Sequence, residues 1–179
     1  MSRKSLKGVK FPGVPAMDAT TLLKKDHDAV LQLFRAFAEA GSDVAARHSL
    51  YRNIRQELQT HSRVEEHVFY PAVMRLRAEL AREAVRDALE DHHIVDGLLA
   101  ELDQLDPEDA RYGDKMRTLR ESVERHIEAE EDALFAQARI HLTDERLERL
   151  GRDMAILRES LGGEPVEVVT GAAGTGVRA

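Results

Sequence analysis

A 65-residue internal repeat constrains this fold more than any other feature of the chain. "KDHDAV" at 25–30 lies over "EDHHIV" at 90–95, which puts His27 on His92. At the same offset His61 falls on His126, Glu65 on Glu130 and Glu66 on Glu131. Apolar positions follow: Ile54 on Leu119, Leu58 on Val123, Phe69 on Leu134 and Tyr70 on Phe135. Each copy reads as two amphipathic helices, so the chain is a duplicated helical hairpin. Such a hairpin cannot bury its own apolar face, and two of them close a shared core.

The predicted elements follow that pattern. A first helix starts near Asp18 or Thr20, either of which caps it, and ends at Gly41. Leu22, Leu23, Val30, Leu33, Phe34 and Phe37 mark its apolar face. A second runs from about Asp43 into the seventies through Leu50, Ile54, Leu58, His61 and Glu65, and Pro71 should kink or end it. A third spans roughly 79–105, with Val85, Leu89, His92, Val95, Leu99 and Leu102 inward. A fourth spans about 109–140, with Met116, Leu119, Val123, His126, Glu130 and Leu134 inward and Gly113 a candidate interruption of its first turn. The expected fold is all-α: an up-down-up-down four-helix bundle over 18–141, plus a short C-terminal helix over 142–160. Residues 1–17 read as an irregular basic arm and 161–179 as a flexible tail.

Chemistry enters at "HSRVEEHVFYP", residues 61–71. On a helix His61 and Glu65 stand about 40° apart around the axis and roughly 6 Å apart along it. They share the face of Ile54 and Leu58, where unpartnered polar groups are costly. The repeat supplies partners. Each hairpin contributes one His from its first helix and a His-x-x-x-Glu pair from its second. Packed around one axis, His27, His61, Glu65, His92, His126 and Glu130 form a candidate dinuclear metal site. If both carboxylates bridge, each ion has two imidazole nitrogens and two carboxylate oxygens. A bridging oxo or hydroxo group makes five ligands and leaves one open position per ion. This donor set suits iron, and also manganese or zinc, better than calcium or copper(I). The chain has no cysteine, which excludes thiolate zinc sites, cysteine-held iron–sulfur clusters and thiol catalysis.

The DH…HxxxEE…DH…HxxxEE layout resembles the hemerythrin-like family, the HHE cation-binding domains, over about residues 18–140. That resemblance implies a four-helix bundle with two non-haem iron ions, held by the six residues named above. The oxygen carriers of marine worms have a further His four residues after the third-helix His, where this chain has Asp96. They also close the fourth-helix motif as His-x-x-x-x-Asp, where this chain has His126 followed by Glu130. Four ligand histidines instead of five imply a more symmetric centre, open to peroxide, oxygen or nitric oxide at both ions. Asp96, one turn beyond His92, is expected to be a seventh ligand or a partner to an imidazole N–H.

Other residues read more plainly. Glu66 and Glu131 are expected at the surface or just behind the ligands. His48, His67 and His141 fall outside the repeat and read as surface residues, and Tyr70 and Phe135 as plugs at the bundle end. Net charge is −7, so no nucleic-acid partner is expected for the bundle. No apolar run is long enough to span a bilayer, and the start lacks the apolar core of a secretory signal. The expected location is the cytoplasm. Two function classes fit: a di-iron protein that binds or reacts with a small oxidant, whose enzymatic version is catalase-like or nitric-oxide-related, and an iron or oxygen sensor or iron-storage module without turnover.

Overall fold

The computed structural model describes residues 17–162. The basic arm, up to residue 16, and the tail from residue 163 lie outside the described residues. Four antiparallel helical rods make the bundle. The first is α1 (Ala19–Glu39). The second joins α2 (Val44–Val64), a π-helical turn (Glu65–Phe69) and α3 (Tyr70–Met74). The third is α4 (Glu79–Leu102). The fourth joins α5 (Ala110–Ala129), a second π-helical turn (Glu130–Leu134) and α6 (Phe135–His141). A fifth helix, α7 (Asp144–Ser160), packs outside the bundle against α1, α2 and the first π turn.

The caps are local. The Asp18 carboxylate accepts from the backbone N–H of Thr20 at 3.0 Å and of Thr21 at 3.2 Å, so Asp18 begins α1. Gly41 takes φ 56° just beyond its end. Asp43 and Asp109 cap α2 and α5 in the same way as Asp18. Gly113 does not interrupt α5.

Pro71 does not end the second rod. It sits in the first turn of α3, directly after the π turn, where the Tyr70 N–H reaches back to the Glu65 carbonyl. Proline is tolerated at the start of a helical run, because its missing N–H falls where the hydrogen-bond register changes. The fourth rod makes the same π turn with Ala136 in place of proline, so proline is not its cause. Both turns begin at a glutamate of the repeat.

The core is two apolar clusters with a polar layer between them. One holds Leu23, Val64, Phe69, Val85, Leu134 and Met154, the other Val30, Phe34, Ile54, Leu99, Leu119 and Val123. The histidines and glutamates of the repeat lie between the two.

α7 is locked on by close contact. A Cβ at Gly151 would stand 2.1 Å from the Met17 carbonyl oxygen and 3.0 Å from the Asp18 carbonyl carbon. Both are backbone atoms at the entry to α1, which cannot yield cheaply. Gly151→Ala is therefore expected to lower stability by about 1–3 kcal/mol, in the range of overpacked cores, despite alanine's better helix propensity. Urea unfolding checks this, and an unchanged or raised midpoint would show that α7 is not held there.

Candidate metal centre

All six residues singled out by the repeat meet in the polar layer, and all six are buried. Their donor atoms form two groups, each compact enough to hold one ion. The first is His27, His61, Glu65 and Glu130; the second is Glu65, His92 and His126. Glu65 belongs to both. Its Oε2 lies 3.1 Å from His61 Nε2 and 3.2 Å from His92 Nε2. Glu130 Oε2 lies 3.3 Å from His27 Nε2 but 3.9 Å from His126 Nε2. The two carboxylates are thus not equivalent: Glu65 is common to both groups, while Glu130 leans to the first.

Every imidazole has a carboxylate behind it. His27 Nδ1–H donates to Glu131 at 2.9 Å, and His92 Nδ1–H donates to Glu66 at 2.8 Å. Asp26 lies 3.9 Å from His61 Nδ1, and Asp91 lies 3.9 Å from His126 Nδ1. For His27 and His92 that hydrogen bond fixes the tautomer with its Nε2 lone pair facing inward, as a metal ligand needs, whereas the aspartates behind His61 and His126 face the ring from beyond hydrogen-bond distance. The glutamate clamps cross between hairpins, Glu131 to His27 and Glu66 to His92. The aspartates stay within their own hairpin.

The inward side is left unsatisfied. Nε2 of His27, His61 and His126, Oε1 of Glu65 and both carboxylate oxygens of Glu130 are buried without a hydrogen-bond partner among the described residues. Each such orphan costs about 1–3 kcal/mol. Six converging nitrogen and oxygen atoms without a hydrogen bond among them fit a cation. Nitrogen and oxygen donors without sulfur fit iron or manganese.

In the metal-free protein, protons take part of that role. Burial and the Glu130 charge push the Glu65 carboxyl well above its ordinary range. For Glu130, burial is outweighed by the facing imidazoles, chiefly His27, which hold it at about 2. Burial lowers His27, but hydrogen bonds with Glu130 and Glu131 outweigh it and raise it above 6.5. Burial, together with the other imidazoles, holds His61 well below its ordinary value. Burial likewise brings His126 to about 4.

The sign of the pH dependence follows. Glu65 and His27 both hold a proton above the pH at which free side chains would lose it, and a metal needs both deprotonated. Metal uptake near neutral pH should therefore release protons, and affinity should rise with pH up to the raised values of these two groups. Calorimetric titration of metal into protein in two buffers of different ionisation enthalpy reads the release. A buffer-independent heat would overturn it.

Aromatic rings cover both ends. Phe135 stacks on His27 with ring centroids 5.8 Å apart, and Tyr70 on His92 with centroids 5.6 Å apart. Tyr70 is more than a plug: its hydroxyl donates to Glu65 Oε2 at 3.1 Å and lies 3.4 Å from His92 Nε2. On the opposite side of the layer, Val30, Leu58, Val95, Val123 and Ile127 join the four histidines around a small cavity. It leaves about 20 Å³ for the centre of a water-sized molecule, room for a small ligand.

Asp96 takes no part. It is exposed on the outer face of α4, because Val95, Leu98, Leu99 and Leu102 form the inward face there. His93, His48, His67 and His141 are exposed as well. Asp26 and Asp91 were not singled out by sequence reasoning. Their signal was the aspartate preceding each first-helix His at the repeat offset.

A closed helical bundle whose polar layer is built to hold cations on imidazole and carboxylate defines the class: a cation-binding bundle protein. The chain belongs to the hemerythrin HHE cation binding domain family, which matches it over residues 18–138. Members of this family bind metal ions. The chain is similar to the uncharacterized protein Rv2633c of Mycobacterium tuberculosis, 31% identical over 151 residues, covering 84% of this chain and 91% of that one. It is also similar to a DNA nickase of Nostoc, 25% identical over 152 residues, covering 83% of this chain and 42% of that one. Among solved structures it resembles the Mycobacterium kansasii homolog of Rv2633c, a hemerythrin HHE cation binding domain-containing protein. The TM-score is 0.74 at 28% identity, covering 82% of this chain and 88% of that one.

Proposed function

We propose that this chain is a cytoplasmic non-haem di-iron protein that binds or reacts with a small oxidant, oxygen, peroxide or nitric oxide, at a carboxylate-bridged dinuclear centre. The observation that carries the reading is the set of six buried, inward-facing donors with a carboxylate behind every imidazole. His27, His61, Glu65 and Glu130 would hold one iron, and Glu65, His92 and His126 the other. Iron bound there would supply open coordination positions and a change of valence.

The remaining work is done by the chain. The glutamate clamps on Nδ1 keep His27 and His92 turned inward without reorganisation on binding, and Asp26 and Asp91 set a negative charge behind His61 and His126. The apolar wall of Val30, Leu58, Val95, Val123 and Ile127 keeps bulk water out and sets the size of what enters. The Tyr70 hydroxyl holds its proton at Glu65 Oε2, beside the second group of donors, where it can donate to a small ligand. No nucleotide or organic cofactor motif competes with this reading in the sequence.

The test is elemental analysis of the purified chain, followed by turnover assays with peroxide and with nitric oxide. About two irons per chain, with turnover lost in His61→Ala, is the expected result. Two irons with no turnover of either would leave a binding or storage module. A chain that holds no metal and takes up none would overturn the proposal.

A further inference from the structure

The 65-residue duplication makes the two halves of the centre alike, and α7 makes them different. Arg158 lies near the end of α7, in a segment with no counterpart in the repeat. It is 8% exposed, the one cation among the buried residues of the described chain. Its guanidinium spans two helices. Nη1 donates to Asp26 Oδ2 on α1 at 3.0 Å, and Nη2 donates to Glu57 on α2. Asp26 Oδ2 is the same oxygen that stands 3.9 Å from His61 Nδ1.

The second hairpin lacks this arrangement. Asp91 stands behind His126 at the same 3.9 Å, but its cation is Arg125, 3.7 Å away with a side chain 61% exposed. Arg125 comes from the same helix as His126 and answers to solvent. The counterpart of Glu57 is Ser122 at the repeat offset, which offers no second carboxylate. A buried arginine fork holds its carboxylates in a fixed geometry, whereas an exposed pair at that distance holds almost nothing.

We infer that Arg158 is a positioning residue for the His27/His61 side of the centre, acting through Asp26, so that docking of α7 sets the metal affinity of that side alone. The inference rests on the two-ion reading proposed above. Among the described residues, Asp26 has no other basic partner within ion-pair distance besides the imidazole it faces. Without the guanidinium, its carboxylate is free to turn toward solvent along the α1–α2 seam, and His61 Nδ1 loses the one carboxylate that faces it. Outer partners of metal-bound histidine are worth about 10–100-fold in affinity.

The experiment is an anaerobic calorimetric titration of iron(II) into the metal-free full-length chain, with bound iron counted after desalting. Wild type, Arg158→Met, Arg158→Lys and Arg125→Met are compared. The expected result is two ions in wild type and in Arg125→Met. Arg158→Met should weaken one of its two binding events about 10–100-fold and leave the other unchanged. Arg158→Lys, which keeps the charge but loses the fork, should fall between them. Thermal melting of each metal-free variant separates positioning from structure. A lower melting temperature in Arg158→Met with both affinities unchanged would make Arg158 merely a brace for α7 and overturn the inference. Equal weakening of both ions would overturn it too. If Arg158→Met does not fold, Arg158→Lys and Glu57→Gln decide, because each loosens the fork and leaves Asp26 and the histidines in place. Wild-type protein that binds fewer than two irons would instead sink the reading on which the inference rests.

Discussion

Glu65→Ala should empty the His92/His126 side and weaken the other, while Glu130→Ala should weaken the His27/His61 side alone, because Glu65 is common to both donor groups. The asymmetry comes from the geometry. Glu65 is shared by both donor groups, and Glu130 belongs to one. Without Glu65 the His92/His126 side keeps two imidazoles and a carboxylate 3.9 Å away, too few donors for an ion. Without Glu130 that side is untouched. Stability should move the other way. Glu65 is fully buried, and its burial together with the Glu130 charge forces a proton onto it. Glutamine keeps the shape and the oxygen that Tyr70 meets but takes one ionisable carboxyl out of a crowded polar layer, so metal-free Glu65→Gln should melt no lower than metal-free wild type. Elemental analysis and circular dichroism melting of the same samples read both effects. Glu65→Gln, which keeps the shape, guards against a cavity artefact. If Glu65→Gln retained two irons, the bridge would be wrongly placed.

Removing the metal from the wild-type chain should lower its melting temperature by on the order of 15–30 °C. An ion held at a thousandfold excess over its dissociation constant stabilises a fold by about 4 kcal/mol, and two ions by about 8. For a domain of this size each kcal/mol shifts the midpoint by roughly 2–4 °C. The structure supplies the cause: lone pairs of His27, His61, His126, Glu65 and Glu130 face one another in a buried layer. Differential scanning calorimetry before and after chelation, with iron(II) restored in a third sample, measures it. A midpoint that chelation leaves in place would mean that hydrogen bonds alone satisfy the layer, and the metal reading would fail with it.

Much of this was legible in the sequence because the chain is written twice. The offset that puts His61 on His126 also sets Ile54 on Leu119, so fold and donor set came from one pattern. What was illegible has physical reasons. A π turn is a one-residue change of phase, and periodicity over a helix averages it away. Pro71 therefore pointed to a kink where the rod runs on. Asp96 stands four residues from His92, but the inward face of α4 passes through Val95 and Leu99 and leaves it outside. Asp26 and Asp91 sit a third of a turn from the inward face of their own helices. Their target is a histidine on the neighbouring helix, which only packing reveals. Arg158 lies beyond the repeat, so no comparison of the halves could find it.

The crossed glutamate clamps have a historical consequence. A lone hairpin would own two imidazoles and a carboxylate, yet nothing to orient its leading imidazole, because that clamp is carried by the other hairpin. It could be completed only by meeting a copy of itself about a two-fold axis, each lending the other its second glutamate. The loop between α3 and α4 turns that encounter into a tethered one, at an effective concentration no free dimer sustains. The chain is, in this sense, a homodimer that became its own partner, and the two halves have been free to diverge since.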